Sequence, residues 1–401
     1  MATGGPIVIV GAGKIGRGFL AHLIWRGGYP WTFIEANRSV VEGLRARGVY
    51  HVAIAGKSGA TTAIRGFTIY HPEEPEAWRA MKTAETIFTA VGGAQVESLG
   101  VRWRAVVAER MAEPGHSPVN WITCENWVHP AQVLRQGLTA GLDGPMLERA
   151  KVELGVAEAT VLRSCIEPTA EQRAQDRFSV QVQDYWELQV DRDALVLPLP
   201  SIPGLVAVPN FQRALERKLY TYNAASATMS FLGALIGLRY LHEAASEPRI
   251  LAITRQVLAE TGQAVCAQYG YSRDDQERFA ASAIAKYQDA AILDTLERNV
   301  RDPIRKLGRD DRLVGAARLC LAAGIQPRAV ALAIAAGLRY REPSDPSAQR
   351  LGELMGQAGL DGVLVQVLGI DPDGALAGLI KARMGDVDRF VRGEWPEVSA
   401  S

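Results

Sequence analysis

Three side chains able to donate or accept a hydrogen bond at a reacting oxygen share one helical stretch, Glu216 to Gly233 (ERKLYTYNAASATMSFLG): Lys218, Asn223 and Ser226. On a helix, positions 218, 222, 223 and 226 lie on roughly one face. A lysine on an otherwise apolar helix that meets a second domain has its charged form destabilised. Its pKa then falls toward the range where the amine can accept an alcohol proton. The bland reading of Lys218, a solvated helix lysine, stands beside this one. A second stretch, Arg298 to Arg312 (RNVRDPIRKLGRDDR), carries six basic residues against three aspartates. Asp302–Pro303 forces a turn in it, and composition alone also fits an exposed charged loop.

The third chemical stretch is the first in the chain, Pro6 to Phe19 (PIVIVGAGKIGRGF). Ile7 to Val10 reads as a strand buried on both faces. Gly11, Gly13 and Gly16 follow in the spacing GxGxxG. Gly11 allows the tight turn out of the strand, Gly13 leaves room for a pyrophosphate, and Gly16 lets the next helix pack closely. The helix opens at the glycines, through Lys14 and Ile15, and turns its free N–H groups toward the phosphates. A second strand, Trp31 to Ile34, ends at Glu35, 19 residues past Gly16. A carboxylate there bonds the adenosine ribose hydroxyls and repels a 2′-phosphate, which favours NAD over NADP. Arg38 pulls the other way, because an arginine accommodates that phosphate.

Elements that position these residues follow in order. A helix over 40–44 leads to a β-excursion at 49–70, with GVYHVAIAG and AIRGFTIYH as hairpin arms. Glu85 to Val91 reads as a central strand ended by Gly92–Gly93. Turns at this point often line the cofactor, and a plain strand-ending turn fits Gly92 equally. Val119 to Cys124 is a further buried strand with Glu125–Asn126 at its carboxyl end, where open α/β sheets bind ligands. Residues 130–155 read as helical, Thr160 to Ile166 as a strand, Phe178 to Val182 and Glu187 to Val190 as exposed antiparallel strands, and the proline-containing 195–208 as a connecting loop. From Phe211 on, alanine- and leucine-rich helices dominate, at about 211–242, 247–269, 273–287, 309–323, 326–338 and 347–359, punctuated by prolines. The expectation is an α/β Rossmann-type domain at 1–195 followed by a mainly α-helical domain at 196–401.

Composition narrows the classes. Lys plus Arg equals Asp plus Glu at 44 each, so no overall field points to nucleic acid or an anionic membrane. Four scattered cysteines, Cys124, Cys165, Cys266 and Cys320, form no CxxC pair and read as reduced thiols, with no metal site. Neither a signal peptide nor a spanning stretch is legible. The expectation is a cytoplasmic protein, monomer or homodimer, whose partner is a small molecule.

Four segments together resemble the polyol-specific long-chain dehydrogenase (mannitol dehydrogenase) family: GAGKIGRGF (11–19), ITCEN (122–126), KLYTYN (218–223) and RDPIRKLGRDDRLVGAAR (301–318). The likeness spans nearly the whole chain and is nearest to members that oxidise a polyol phosphate. It implies an NAD-dependent enzyme without metal, in which Lys218 is the general base. It further implies that Asn223 and Asn126 hydrogen-bond the substrate oxygen, as an oxyanion hole does, and that Arg298 and Lys306 hold the polyol chain or its phosphate.

The departures fall on substrate-facing positions. Ser226 stands where the family has a histidine, Ser164–Cys165 where it has Asp-Arg, and Gln183 where it has a glutamate. Arg163, Glu167 and Asp184 are the candidate replacements. The pattern implies a related dehydrogenase whose substrate is not mannitol or mannitol 1-phosphate itself. Two further readings compete: a hexuronate or sugar-acid reductase of the same family, and a catalytically silent nucleotide-binding protein.

Overall fold

The computed structural model describes residues 5–57, 60–113, 115–127, 129–166 and 168–394. They divide into two units, Met1–Phe211 and Gln212–Ser401. The first contains twelve strands: β1 (Ile7–Val10), β2 (Trp31–Ile34), β3 (Tyr50–Ile54), β4 (Thr61–Ile64), β5 (Phe67–Tyr70), β6 (Thr86–Thr89), β7 (Val119–Thr123), β8 (Leu154–Thr160), β9 (Cys165–Ile166), β10 (Val180–Val182), β11 (Leu188–Asp191) and β12 (Leu205–Val208).

Eight strands build the main sheet in the order β12-β11-β8-β7-β6-β1-β2-β5. From β8 through β5 the neighbours are parallel. The chain leaves β1 toward β2 on one side and returns to β6 on the other, so the order reverses beside β1. Ligands of doubly wound sheets bind at such a switch point. Every residue of β1, β6 and β7 is buried, as a sheet covered on both faces requires. On one face the helix Val96–Ala112 packs on the helix Pro130–Thr139 so closely that a Cβ on Gly100 would lie 2.9 Å from the Gly137 Cα.

Several expectations need correction. The strand expected at Thr160–Ile166 is two elements: β8 ends at Thr160, and Cys165–Ile166 joins a separate four-stranded sheet, β4-β3-β10-β9. The helical reading of 130–155 holds for Pro130–Thr139 and Gly144–Glu153, after which β8 starts without a loop. The hairpin in 49–70 is β3 with β4, whereas β5 pairs in parallel with β2 in the main sheet. The stretch 195–208 is not all loop. Pro198, Pro200 and Pro203 precede β12, which pairs with β11, so the first unit extends past the 195/196 boundary to Phe211.

The described part of the second unit is mainly helical, with an isolated β-bridge between Tyr240 and Thr295. Its core is centred on the helix Arg328–Arg339, in which every residue from Ala329 to Leu338 is buried. A helix apolar on all sides belongs inside others. The helices Ala224–Leu235, Pro248–Tyr269 and Ala375–Val391 contribute to the same core. No described helix is long and apolar enough to cross a membrane.

Candidate functional site

In the first unit, the turn after β1 is shaped by its glycines. Gly11 has φ +99°, and a Cβ there would lie 2.5 Å from the Ala90 carbonyl oxygen. A Cβ on Gly16 would meet the Gly11 carbonyl oxygen at 2.0 Å, whereas at Gly13 it would meet nothing within 4 Å. Two glycines are thus needed by the protein itself, and the middle one opens onto free space where a pyrophosphate could approach. Lys14 is exposed beside it and Ile15 is half-buried. The helix then widens into a π turn at Gly16–Leu20, closed by the Ala21 N–H on the Gly16 carbonyl.

Glu35 sits where its spacing requires. Its Oε2 accepts from the Ala12 N–H at 2.7 Å and its Oε1 from the Asn37 N–H at 2.8 Å. The carboxylate therefore braces the glycine turn from the end of β2. Arg38 pairs with Glu73 at an exposed site. These residues fit a dinucleotide: a cradle that a side chain would fill at Gly13, and a carboxylate acceptor at the end of β2.

At the ends of β6 and β7, Gly92 takes φ +89°. Glu125 is buried and accepts from the Thr89 hydroxyl at 2.8 Å and the Val91 N–H at 3.1 Å, and burial raises its pKa. It ties the two strand ends together, just before the exposed Asn126. Trp127 lies over Gly93, where a Cβ would reach the indole at 2.3 Å, yet the residue is 53% exposed. Sequence reasoning passed over Trp127, because it is far from Gly92–Gly93 in the chain and only the fold brings them together.

Of the candidate replacements, Arg163 is buried. Its Nε donates to the Gln183 carbonyl at 2.8 Å, its Nη1 to the Gly18 carbonyl at 3.2 Å, and its guanidinium lies 4.3 Å from the centre of the Trp186 ring. It holds the cofactor-loop helix against the Gln183 strand end. Burial, then Arg163 and Arg26, hold the neighbouring His22 down to about 3. Asp184 pairs with Lys57 and accepts from the Trp186 indole. Glu167 lies outside the described residues.

In the second unit, the expected 211–242 helix is the helix Phe211–Lys218, a π turn Leu219–Asn223 and the helix Ala224–Leu235. The Ala224 N–H closes the turn on the Leu219 carbonyl. The expectation that a plain α-helix puts 218 and 223 on one face needs correction, since five residues overshoot a turn by about 140°. A turn closed between residues i and i+5 brings the side chains of Lys218 and Asn223 toward one face. Neighbouring side chains fasten this turn. Arg217 pairs with Asp275 at 2.7 Å and donates to Gln276 at 2.8 Å, while Gln276 donates to the Thr221 hydroxyl at 2.9 Å.

Part of Lys218 remains accessible, yet burial of its ammonium, with Lys286 and Arg312 adding like charge, lowers its pKa to about 7. The amine is thus poised between donor and acceptor near neutral pH. Ser226, one turn on, reaches Asn299 at 3.5 Å. Lys306 is buried, its ammonium donating to the carbonyls of Asn299 (2.8 Å) and Arg301. Burial, then Arg312 and Arg305, lower its pKa to about 7. Arg298 forms a two-point ion pair with Asp294, at 2.8 and 2.6 Å, on the surface. Lys218, Asn223 and Ser226 therefore share one continuous helix. Lys306 joins them through Asn299, and Arg298 is committed to an acid. Asn299, Lys286 and Arg312 were not singled out by the sequence reading.

Comparison with known proteins supports the resemblance. The mannitol dehydrogenase Rossmann domain model matches residues 6–204, and the mannitol dehydrogenase C-terminal domain model matches residues 210–357. Among curated proteins, the chain is 30% identical to a mannitol-1-phosphate 5-dehydrogenase of Brevibacillus brevis over 90% of this chain and 92% of that one. It is 28% identical to the protein of the same name from Thermoanaerobacter pseudethanolicus, over 91% and 94%. Two solved structures share the fold, each covering 97% of this chain and 94% of theirs. One is Pseudomonas fluorescens mannitol 2-dehydrogenase in a ternary complex with NAD and D-mannitol (TM-score 0.75, 16% identity). The other is a substrate-free D-sorbitol dehydrogenase (TM-score 0.79, 15% identity).

Proposed function

Since the chain belongs to the mannitol dehydrogenase family, we propose that it is an NAD-dependent dehydrogenase acting on a CH–OH group, interconverting a polyol phosphate and the corresponding keto sugar, with Lys218 as general base. The observation that carries this reading is a partly buried amine that a π turn brings toward the same face as Asn223; its burial, with Lys286 and Arg312 adding like charge, lowers its pKa to about 7. The names of the two curated relatives support the phosphorylated substrate.

Gly11, Gly13, Lys14, Ile15, Gly16 and Gly92 would hold the cofactor, with Glu35 on its adenosine ribose. When bound, NAD supplies a hydride acceptor. The neutral Lys218 amine takes the hydroxyl proton of the alcohol, and the carbon–hydrogen bond pair leaves as hydride. The Asn223 amide donates to the oxygen as negative charge develops there, in the manner of an oxyanion hole. An amide serves both alcohol and alkoxide without a change of protonation. Asn126 is assigned a second such donation. Ser226 and Lys306 are assigned to the polyol chain, Lys306 acting through the Asn299 carbonyl; Arg298 would join them only by giving up its ion pair with Asp294. Ser226 in place of a histidine supports a polyol other than mannitol.

The test is to incubate the protein with NAD and a panel of polyols, polyol phosphates and aldonates, following absorbance of the reduced cofactor. Turnover of a polyol phosphate that disappears in Lys218→Ala, with NAD binding retained, is expected. NAD binding with no turnover of any member would instead favour a silent nucleotide-binding protein.

A further inference from the structure

Trp127 follows directly on the Glu125–Asn126 end of β7 and has no part in the proton transfer assigned to Lys218. A Cβ placed on Gly93 would lie 2.3 Å from both Cδ2 and Cε3 of its indole and 2.6 Å from Cγ. Near-equal approach to three ring atoms means that the indole rests on the Gly93 backbone with a face rather than an edge. Any side chain at position 93 would have to displace it. Trp127 is nevertheless 53% exposed, so its opposite face is open. A single exposed apolar side chain is ordinary. One seated flat on a glycine, with its other face open beside a ligand cradle, calls for an occupant.

The sheet says which occupant. A Cβ on Gly11 would lie 2.5 Å from the Ala90 carbonyl oxygen, and the Ala90 N–H donates to the Val10 carbonyl at 2.8 Å. The chain leaving β6 therefore runs along the glycine turn. Gly93 comes three residues after Ala90, a stretch that spans at most about 11 Å. Glu125 holds the end of β7 to the same stretch through the Val91 N–H at 3.1 Å. The strands run in the order β7-β6-β1-β2. With the pyrophosphate at Gly13 after β1, and Glu35 after β2 on the adenosine ribose, the other half of a dinucleotide lies over β6 and β7. Trp127 stands at that end.

We propose that the open face of Trp127 receives the nicotinamide ring of NAD. Flat aromatic rings stack on an indole face. In the oxidised cofactor the nicotinamide ring also carries a positive charge, which the negative face of the indole attracts, and in NADH that charge is gone. Trp127 thus holds NAD more firmly than NADH. The inference rests on the dehydrogenase reading above and adds a residue that positions its hydride acceptor.

The experiment titrates wild type, Trp127→Leu and Trp127→Phe by calorimetry with NAD, NADH and ADP-ribose, which lacks the nicotinamide ring. Melting profiles confirm that each variant is folded, and retained ADP-ribose binding confirms that its glycine turn is intact. Trp127→Leu is expected to weaken NAD binding roughly tenfold, NADH binding by less, and ADP-ribose binding not at all. Trp127→Phe should recover part of the loss, since a smaller aromatic face remains. Equal losses on NAD and ADP-ribose would overturn the proposal, because the indole would then only support the Gly92–Gly93 turn. Unchanged NAD affinity in Trp127→Leu would overturn it as well. The two readings fail separately, since the titrations need no turnover. A loss confined to NAD and NADH, in a protein that turns over no polyol, keeps the platform and removes the dehydrogenase. Turnover with NAD affinity equal in all three proteins removes the platform alone.

Discussion

Two π turns mark this chain, Gly16–Leu20 in the sheet unit and Leu219–Asn223 in the helical unit, and they serve opposite ends. The first is built from what it lacks. Gly16 has no side chain, so the helix can press against the Gly11 carbonyl, and Gly13 leaves an opening. The second is built from what it carries: it turns a lysine and an asparagine to one side and ties its other residues to the helix Arg273–Tyr287. One backbone irregularity, frequent at functional sites, thus leaves an open backbone in one place and brings two polar side chains together in the other.

Four experiments break or sharpen the contrast. The largest effect is expected at Lys218, since positioned bases contribute about 10²- to 10⁴-fold. Lys218→Met should lose that much kcat while NAD binding, measured by fluorescence titration, stays intact. In the glycine turn the damage should be structural instead. Gly16→Val should cost about 3 kcal/mol in denaturant unfolding, because the clash is with backbone. Gly13→Ala should leave stability within about 0.5 kcal/mol yet raise KM for NAD on the order of tenfold.

Third, pH should separate the two turns. Lys218 must be neutral to accept a proton, so kcat/KM for alcohol oxidation should fall about tenfold per unit as pH drops below about 7, and level off above it. Ketone reduction needs the protonated amine and should decline above the same pH. NAD affinity should stay flat across this range. The smallest effect is thermal. With the folded pKa at about 7 against the ordinary 10.5, the cost of burying the ammonium is full below pH 7 and fades between pH 7 and 10.5. Lys218→Met should therefore melt a few degrees higher than wild type at pH 6, with the gap closing toward pH 10.

The glycine turn was the more legible of the two. Its spacing, the all-apolar β1 and the carboxylate of Glu35 are local signals, and each depends on the strand beside it. The β8 boundary was not legible, because LGVAEAT follows a helix directly and its alanines and glutamate suit either state. β12 was hidden by three prolines that in fact end before it. At the helical site, the type and place of Lys218 could be read from its apolar neighbours, but the π turn could not, since one extra residue per turn leaves no compositional trace. The engagement of Arg298 was within reach: Asp294 precedes it by four, the spacing of a helical ion pair. Lys286 and Arg312 come from segments distant in sequence, so only folding brings them to Lys218.

Lys218 and Asn223 ride on one unbroken helix, while Lys306 and Asn299 come from other segments of the same unit. Drift in those segments can remodel which molecules are admitted without disturbing the register between amine and amide. If Lys218 and Asn223 have the roles proposed for them, such an arrangement would let one reaction be handed to many carbohydrates, with the pair inherited as a block and the selectivity rewritten around it.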